Sequence, residues 1–222
     1  MIVIGLTGSI GMGKSAVAEM LRQAANIPVH DSDACVHEAL RFGGAAYDEV
    51  RRAFRLSGLI DRKSKAINRG ALGRHVFGND AARRRLESIL HPLVRQSQAE
   101  FILREKRAGR KAVALDIPLL FETGAQARVN VVFVASAPYE VQRGRVLSRP
   151  NMDEKRFHSI LASQMPDKEK RRYADYIIPT GLGRAVTMRA VKEALIDLGL
   201  LEALLGRAEK FFDRNGDLVE RA

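Results

Sequence analysis

The sequence predicts an α/β fold in which a five-stranded parallel sheet is flanked by helices. Five short segments rich in Val, Ile and Ala alternate with segments of helical apolar periodicity. A glycine-rich loop joins the first of these strands to the first helix. Near-continuous apolar strands are typical of a parallel sheet covered on both faces. The predicted strands are Ile2–Thr7, Ile27–His30, Ala112–Ile117, Val129–Ala135 and Tyr176–Ile178.

The loop after the first strand fits the phosphate-binding pattern G-x-x-x-x-G-K-[ST] from Gly8 to Ser15. Its glycines allow backbone N–H groups to curl around a phosphate, and the N-terminus of the next helix adds a positive dipole end. Lys14 is expected to reach the β- and γ-phosphates, and the Ser15 hydroxyl to bind Mg²⁺. A glycine-rich turn without a ligand is the alternative. The expected nucleotide-binding residues are Gly8, Gly11, Met12, Gly13, Lys14, Ser15 and Ala16.

Carboxylates follow the second and third predicted strands, at the edge of the sheet where ligands bind in such folds. Asp31 and Asp33 lie two residues apart and could face the same way. Such a pair can orient an attacking hydroxyl and accept its proton, although either residue could instead cap the next helix. Asp116 stands where a P-loop enzyme places the carboxylate that organises Mg²⁺, with a turn before Pro118 as the alternative.

Helical segments interrupt and follow this strand pattern. The segment from Leu56 to Arg107 is predicted to be mostly helical, with an apolar stripe around His91 and Pro92, and is a candidate substrate subdomain. The segment from Arg184 to Arg207 is predicted to form one or two amphipathic packing helices.

Two basic helices between Pro138 and about Gln164 are predicted to form a lid. Gln142, Arg145 and Arg149 share one face of the first of them. The two arginines could clamp phosphates electrostatically once the lid closes and water leaves.

Length and composition narrow the class of protein. The 222 residues favour one domain with insertions, or a core with a small subdomain. Cys35 is the only cysteine and is expected to be buried; without an internal disulfide the chain suits a reducing cytoplasm. No apolar run approaches the roughly 20 residues of a membrane helix, and the first strand lacks the basic leader of a signal peptide.

The net charge of +11 makes nucleic acid one possible partner. The basic residues concentrate in segments 51–74 and 143–172, which could equally serve phosphorylated small molecules. Only 6 % of the residues are aromatic, so a nucleic-acid-binding P-loop protein is the weaker alternative. The lack of an N-K-x-D guanine-reading motif counts against a GTPase.

Several motifs occur in an order that resembles the dephospho-CoA kinase family over roughly residues 1–183. The motifs are Gly5–Ser15, Asp31–Asp33 with His37, Ile67–Arg69 with Leu72, Leu86–Glu87 with His91–Pro92, Asp116–Glu122, Gln142 with Arg145 and Arg149, Gln164–Pro166, and Ala174–Asp175 with Ile177–Ile178. The resemblance implies transfer of the γ-phosphate of ATP, with Mg²⁺, to the ribose 3′-hydroxyl of dephospho-CoA, the last step of coenzyme A synthesis. A kinase of the same architecture that acts on another nucleotide or nucleoside is the alternative.

The resemblance also implies a P-loop kinase fold of three parts. These are a nucleotide-binding core (1–55, 108–137 and 173–222), a helical CoA-binding insertion (56–107) and a lid (138–172). Asp33 would be the base, Arg145 and Arg149 the phosphate clamp. Asp31, Asp33, His91 and Leu119 would contact the substrate, in a monomer or small homo-oligomer.

The chain departs from the usual family pattern at three places. Asn68 stands where the family usually has Asp, and Ile160 where the lid usually has Arg, with Arg156 one turn earlier. The family usually has Asn-x-Gly after the last strand, where this chain has the run Thr180–Gly183.

Overall fold

The computed structural model describes residues 1–202, 211–212 and 218–219. The strands of its main sheet are β1 (Ile2–Thr7), β2 (Val29–Asp31), β3 (Ala112–Asp116), β4 (Val131–Ser136) and β5 (Tyr176–Pro179). Their order in the sheet is β2-β3-β1-β4-β5, and β3 pairs in parallel with β1 and β2, as does β4 with β5. The predicted fold class, a parallel sheet flanked by helices in a P-loop kinase fold, is confirmed. A two-residue antiparallel pair joins β6 (Phe211–Phe212) to β7 (Leu218–Val219).

The helices of the described chain fill the intervals between the strands. They are α1 (Lys14–Ala25), α2 (Ser32–Ala39), α3 (Tyr47–Ala53), α4 (Arg69–Val76), α5 (Asp80–Arg107), α6 (Tyr139–Leu147), α7 (Glu154–Ala162), α8 (Asp167–Arg172) and α9 (Arg184–Asp197). None of them is long and apolar enough to cross a membrane.

The chain divides into two compact units. The first unit comprises residues 1–7 and 28–131, and the second comprises residues 8–27 and those from 132 onward. Cys35, in the first unit, is a free thiol that is half-buried rather than fully buried as expected.

The first unit contains β1, β2 and β3 and a helical region with its own apolar core. Asp116 at the end of β3 is in register with Leu6 of β1 and with Asp31 of β2, so the carboxyl ends of these strands meet at one edge. Helices α2 to α5 enclose the apolar core, whose burial from water is the main force that holds such a region together. Its buried members include Leu40, Val50, Phe54, Leu72, Ile89 and Leu90.

Residues 56–107 are mostly helical, as predicted, but the first thirteen of them are not. Helix begins at Arg69; before it, the Asp61 carboxylate accepts hydrogen bonds from the backbone N–H groups of Lys63 and Ser64 and fixes a turn. Ile60 and Ile67 form an isolated antiparallel bridge around that turn. Local side-chain bonding by Asp therefore competes successfully with helix formation.

The second unit contains α1, the strands β4 and β5, and helices α6 to α9. Phe133 of β4 is in register with Tyr176 of β5, and α1 packs against α9. Helix α9 ends at Asp197, where Gly199 and Leu200 donate backbone hydrogen bonds to Ile196 and Leu195 and close the last turn. The predicted amphipathic helix thus forms over Arg184–Asp197, residues 198–202 are not helical, and residues 203–207 lie outside the described residues.

Candidate active site

The phosphate-binding loop connects β1 to α1, as the sequence predicts. Gly11 has a φ of 77°, and a Cβ atom there would lie 2.6 Å from Cγ2 of Val146, so a larger residue would both strain and clash. Helix α1 begins at Lys14, its N-cap residue Gly13 provides no side-chain cap, and no acidic residue lies in its first turn. No capping side chain therefore occupies the backbone N–H donors at the positive end of this helix, and these donors can bind an anion.

Two glutamines of the second unit hold the tip of this loop. The Gln142 amide donates a hydrogen bond to the Ile10 carbonyl at 2.7 Å, and the Ile10 N–H donates to Gln164 Oε1 at 3.0 Å. Both backbone polar groups of Ile10 are thus satisfied by side chains far along the chain. Sequence reasoning named these glutamines as motif residues and missed this role, because nothing local links them to the loop.

Arg145 also contacts the loop and the segment after β5. Its Nη1 donates to Thr180 Oγ1 at 3.1 Å and to the Gly11 carbonyl at 3.4 Å. Its Nη2 donates to the Thr180 carbonyl at 2.6 Å. The guanidinium is therefore placed beside the phosphate loop. Its role as a phosphate clamp stays a prediction.

A cavity of about 470 Å³ lies between the loop and helices α6 to α8, the predicted lid. Within it, Asp167 accepts a hydrogen bond from the Ser136 hydroxyl at 2.8 Å through Oδ2. Asp167 thus contacts the end of β4, and open space remains between these residues and the loop. The lining residues include Ser9, Met12, Gln142, Leu161, Met165 and Asp167.

The carboxylates of the first unit have different local roles. Asp31 is the N-cap of α2, since its Oδ1 accepts a hydrogen bond from the Ala34 N–H at 2.9 Å. Asp33 lies in the first turn of that helix, is exposed, and is not the capping residue. Asp31 lies beside Asp116 in the strand register. The capping alternative is thus confirmed for Asp31, and Asp33 keeps its carboxylate for another use.

Two side chains of helix α5 form polar contacts with the buried residues on either side of Asp31. The Gln98 amide donates to the Ser32 hydroxyl at 2.9 Å, and its Oε1 accepts from Arg128 at 3.0 Å. His30 Nε2 lies 2.9 Å from the Ser97 hydroxyl. The pKa of His30 is lowered, and burial of the ring is the largest cause. The segment that carries both aspartates is therefore fixed on either side of Asp31.

Comparison with known proteins decides the family. The dephospho-CoA kinase family profile matches residues 2–182, most of the chain. A dephospho-CoA kinase of Mesorhizobium japonicum is 50 % identical over 200 residues, which cover 89 % of this chain and 96 % of the relative. The chain belongs to the dephospho-CoA kinase family. The family activity, ATP-dependent phosphorylation of dephospho-CoA in coenzyme A biosynthesis, applies to it.

Solved structures agree with the membership in this kinase family. The Thermus thermophilus protein TT1252 superposes with a TM-score of 0.73 at 31 % identity, covering 92 % of this chain and 98 % of that one. A dephospho-CoA kinase from Campylobacter jejuni gives a TM-score of 0.64 at 27 % identity, with coverage of 88 % and 96 %.

The arginines of the predicted lid have distinct surroundings. Arg149 is exposed and makes no ion pair within residues 1–202. Arg143 pairs with Glu154 across the two lid helices, and that contact raises the pKa of the guanidinium. Arg156, which stands one turn before Ile160, donates to the Asn151 carbonyl at 2.9 Å. Arg149 lies two residues after the end of α6 at Leu147, not on the helix as predicted, and of these three arginines it is the exposed one without a described side-chain partner.

The remaining predicted substrate contacts lie in the first unit. His91 is half-buried on α5, and Leu119 is 37 % exposed in the turn after β3. Asn68 caps α4, accepting from the Ala71 N–H at 3.0 Å, which an aspartate could do equally well.

Proposed function

We propose that this dephospho-CoA kinase phosphorylates the 3′-hydroxyl of the ribose, with ATP bound in the loop from Gly8 to Ala16. The observation that carries the proposal is the braced phosphate loop at the start of α1. A helix N-terminus without a side-chain cap or an acidic first turn binds an anion readily. Triphosphate is the anion that the Lys14–Ser15 sequence suits.

Asp33 is assigned the proton transfer. The 3′-oxygen attacks the γ-phosphorus, its proton passes to the Asp33 carboxylate, the bond from phosphorus to the β–γ bridging oxygen breaks, and ADP leaves. The exposed carboxylate, held by neither cap nor ion pair in the described contacts of α2, supports this choice over Asp31. We assign to Lys14, Arg145 and Arg149 the electrostatic stabilisation of the negative charge on the transferred phosphoryl group.

Mg²⁺ fits the donor set, with the hydroxyl of Ser15 and the carboxylate of Asp116 as its protein ligands. Both are hard oxygen donors, which Mg²⁺ prefers. Within the described residues no group of three or more His, Cys, Asp and Glu side chains could hold a metal. That agrees with an ion held by one or two protein oxygens plus phosphates and water. When bound, it would neutralise phosphate charge.

The helical region from 56 to 107 is proposed as the CoA-binding part, with Asp31, His91 and Leu119 as further contacts. Its own apolar core supports a distinct role for it. Residues 138–172 are proposed as the lid, and the rest as the nucleotide-binding core. The lone, disulfide-free Cys35 supports a reducing compartment, the cytoplasm.

An ADP-release assay with ATP, Mg²⁺ and dephospho-CoA tests the function. Release should depend on dephospho-CoA and should fall sharply with AMP, adenosine or other nucleosides as acceptors. Mass spectrometry of the product should show one added phosphate, and phosphorus–proton NMR correlation should place it on the 3′-carbon. Faster turnover with another acceptor, or phosphate at another position, would contradict the proposal.

A further inference from the structure

Thr180, directly after β5, makes a buried set of hydrogen bonds with the phosphate loop. The residue is 5 % exposed. Its hydroxyl donates to the Met12 carbonyl at 2.8 Å and accepts from Arg145 Nη1 at 3.1 Å. One hydroxyl can donate once and still accept, so both bonds form together. The longer 3.3 Å contact to the Ser136 carbonyl competes for the same proton, and that carbonyl already accepts the Thr180 N–H at 2.8 Å.

The Thr180 side chain also fills the space beside Gly13. A Cβ atom at Gly13 would lie 2.9 Å from Thr180 Oγ1 and 3.0 Å from its Cβ. Gly13 has a φ of 82° and is the N-cap of α1. The close approach means that the conformation of the loop at the start of α1 is set against this threonine.

The bond to the Met12 carbonyl determines where the Gly13 N–H points. Both groups belong to one peptide unit, which is planar and trans, so they point in opposite directions. Fixing the carbonyl on Thr180 therefore directs the Gly13 N–H away from Thr180. That N–H is among the donors at the head of α1 that an anion would use.

We propose that Thr180 is a positioning residue for ATP: its hydroxyl holds the Met12–Gly13 peptide in the orientation that binds phosphate. The inference rests on the proposed binding of ATP to this loop. The family usually has Asn at this place, and a threonine can supply the same hydrogen-bond donor. Arg145 assists by ordering the hydroxyl, since it donates to both Oγ1 and the carbonyl of Thr180.

Direct nucleotide binding on three variants tests the role. Thr180→Val keeps the shape and removes the donor; Thr180→Ser keeps the donor. Thr187→Val is the matched control, because Thr187 is also a buried threonine, 3 % exposed, that donates to the Pro179 carbonyl at 2.8 Å but not to the loop. Calorimetry with Mg²⁺–ATP, without acceptor, gives Kd; steady-state kinetics gives KM for each substrate; thermal melting gives stability.

Thr180→Val should raise the Kd and KM for ATP by roughly 10-fold, the range expected when a buried carbonyl loses its donor. The KM for dephospho-CoA should change less than about 2-fold, because Thr180 is not among the residues proposed to bind that substrate and independent sites couple weakly. Thr180→Ser should stay within about 3-fold of wild type, because a bond is kept while a methyl group is lost. Thr187→Val should lose stability comparably but keep its ATP affinity.

Equal ATP affinity in Thr180→Val and wild type would overturn the proposal, and so would an equal loss in Thr187→Val. Should Thr180→Val not fold, Thr180→Ala and Thr180→Ser make the same comparison with the same two outcomes. A wild-type chain that bound ATP without phosphorylating dephospho-CoA would refute the proposed function only. Binding is measured without acceptor, so the Thr180 result would still be decided.

Discussion

The neighbouring aspartates of α2 should separate catalysis from stability. Asp33→Asn removes a proton acceptor but little else, because the exposed Asp33 side chain is not the cap of the helix. General-base contributions are about 10²–10⁴-fold, so kcat should fall at least about 100-fold, or about 2.7 kcal/mol in activation free energy. Affinity for Mg²⁺–ATP should change little, since the carboxylate acts on the acceptor hydroxyl.

Stability should follow the opposite order. Asp31→Ala removes the bond from Asp31 to the Ala34 N–H, and a lost N-cap costs about 1 kcal/mol. In a chain of this length, that lowers Tm by about 2–4 °C. Asp33→Asn loses only a favourable charge at the helix N-terminus, about 0.3–1 kcal/mol, so its Tm should fall less. Asp31→Asn should keep both Tm and most of kcat, because Asn caps as well as Asp.

Steady-state kinetics with dephospho-CoA, thermal melting and nucleotide binding measure the three quantities on the same preparations. Glu38→Gln is the charge control: it removes a carboxylate from the same helix, where Glu38 pairs with Arg41 at the surface. Its kcat should match wild type. If Asp33→Asn retains most of its turnover while Asp31→Asn loses it, the two roles are reversed. If both retain it, neither residue is the base.

Three further perturbations have defined outcomes. Lys14→Ala should lower kcat by about 10²–10³-fold with an unchanged circular dichroism spectrum, and near-normal turnover would refute its electrostatic role. Arg149→Met should lower kcat/KM while Tm moves by no more than a few degrees, since exposed substitutions change stability by about 0.5 kcal/mol; a large Tm loss with intact kinetics would make Arg149 structural. Because burial lowers the pKa of His30, the unfolded chain binds its proton first as pH falls below about 6.5, so urea unfolding should show stability lost from pH 7.5 to 5.5. The slope is at most about 1.4 kcal/mol per pH unit for this group; His30→Gln should flatten it, and an unchanged slope in that variant would contradict the reasoning.

The parts of the fold that local patterns encode were predictable. The boundaries of β1 match the apolar run, and the phosphate loop follows it because its glycines permit the positive φ angles that Gly11 and Gly13 adopt. The non-helical start of the segment 56–107 was not predicted, because Leu59 and Ile67 belong to one buried core while a turn, not a helix, pairs Ile60 with Ile67. Apolar spacing alone cannot distinguish these two ways of burying the same side chains.

The long-range hydrogen bonds to the phosphate loop could not be predicted from local sequence for a different reason. Gln142 and Gln164 reach Ile10 across 132 and 154 positions of sequence, and Thr180 reaches Met12 across 168. Hydrogen bonds of this range depend on the topology that brings the ends of β4 and β5 to one edge, which periodicity does not specify. The sequence places Gln142 on a helix face and Gln164 near the end of a helix, but it does not indicate that either residue, or Thr180, contacts the loop.

Two departures from the family pattern have one physical feature in common. Asn68 replaces an aspartate yet caps α4 through the same kind of oxygen, and Asn and Asp are equally good caps. Thr180 replaces an asparagine yet still donates a hydrogen bond, here to the Met12 carbonyl. In both cases the residue type changes, but the side chain still supplies a hydrogen-bonding group: an acceptor for the Ala71 N–H from Asn68 and a donor to the Met12 carbonyl from Thr180. Ile160 differs, because an isoleucine cannot replace the charge of an arginine, so the lid is where this kinase should differ most from its relatives in how it holds phosphate.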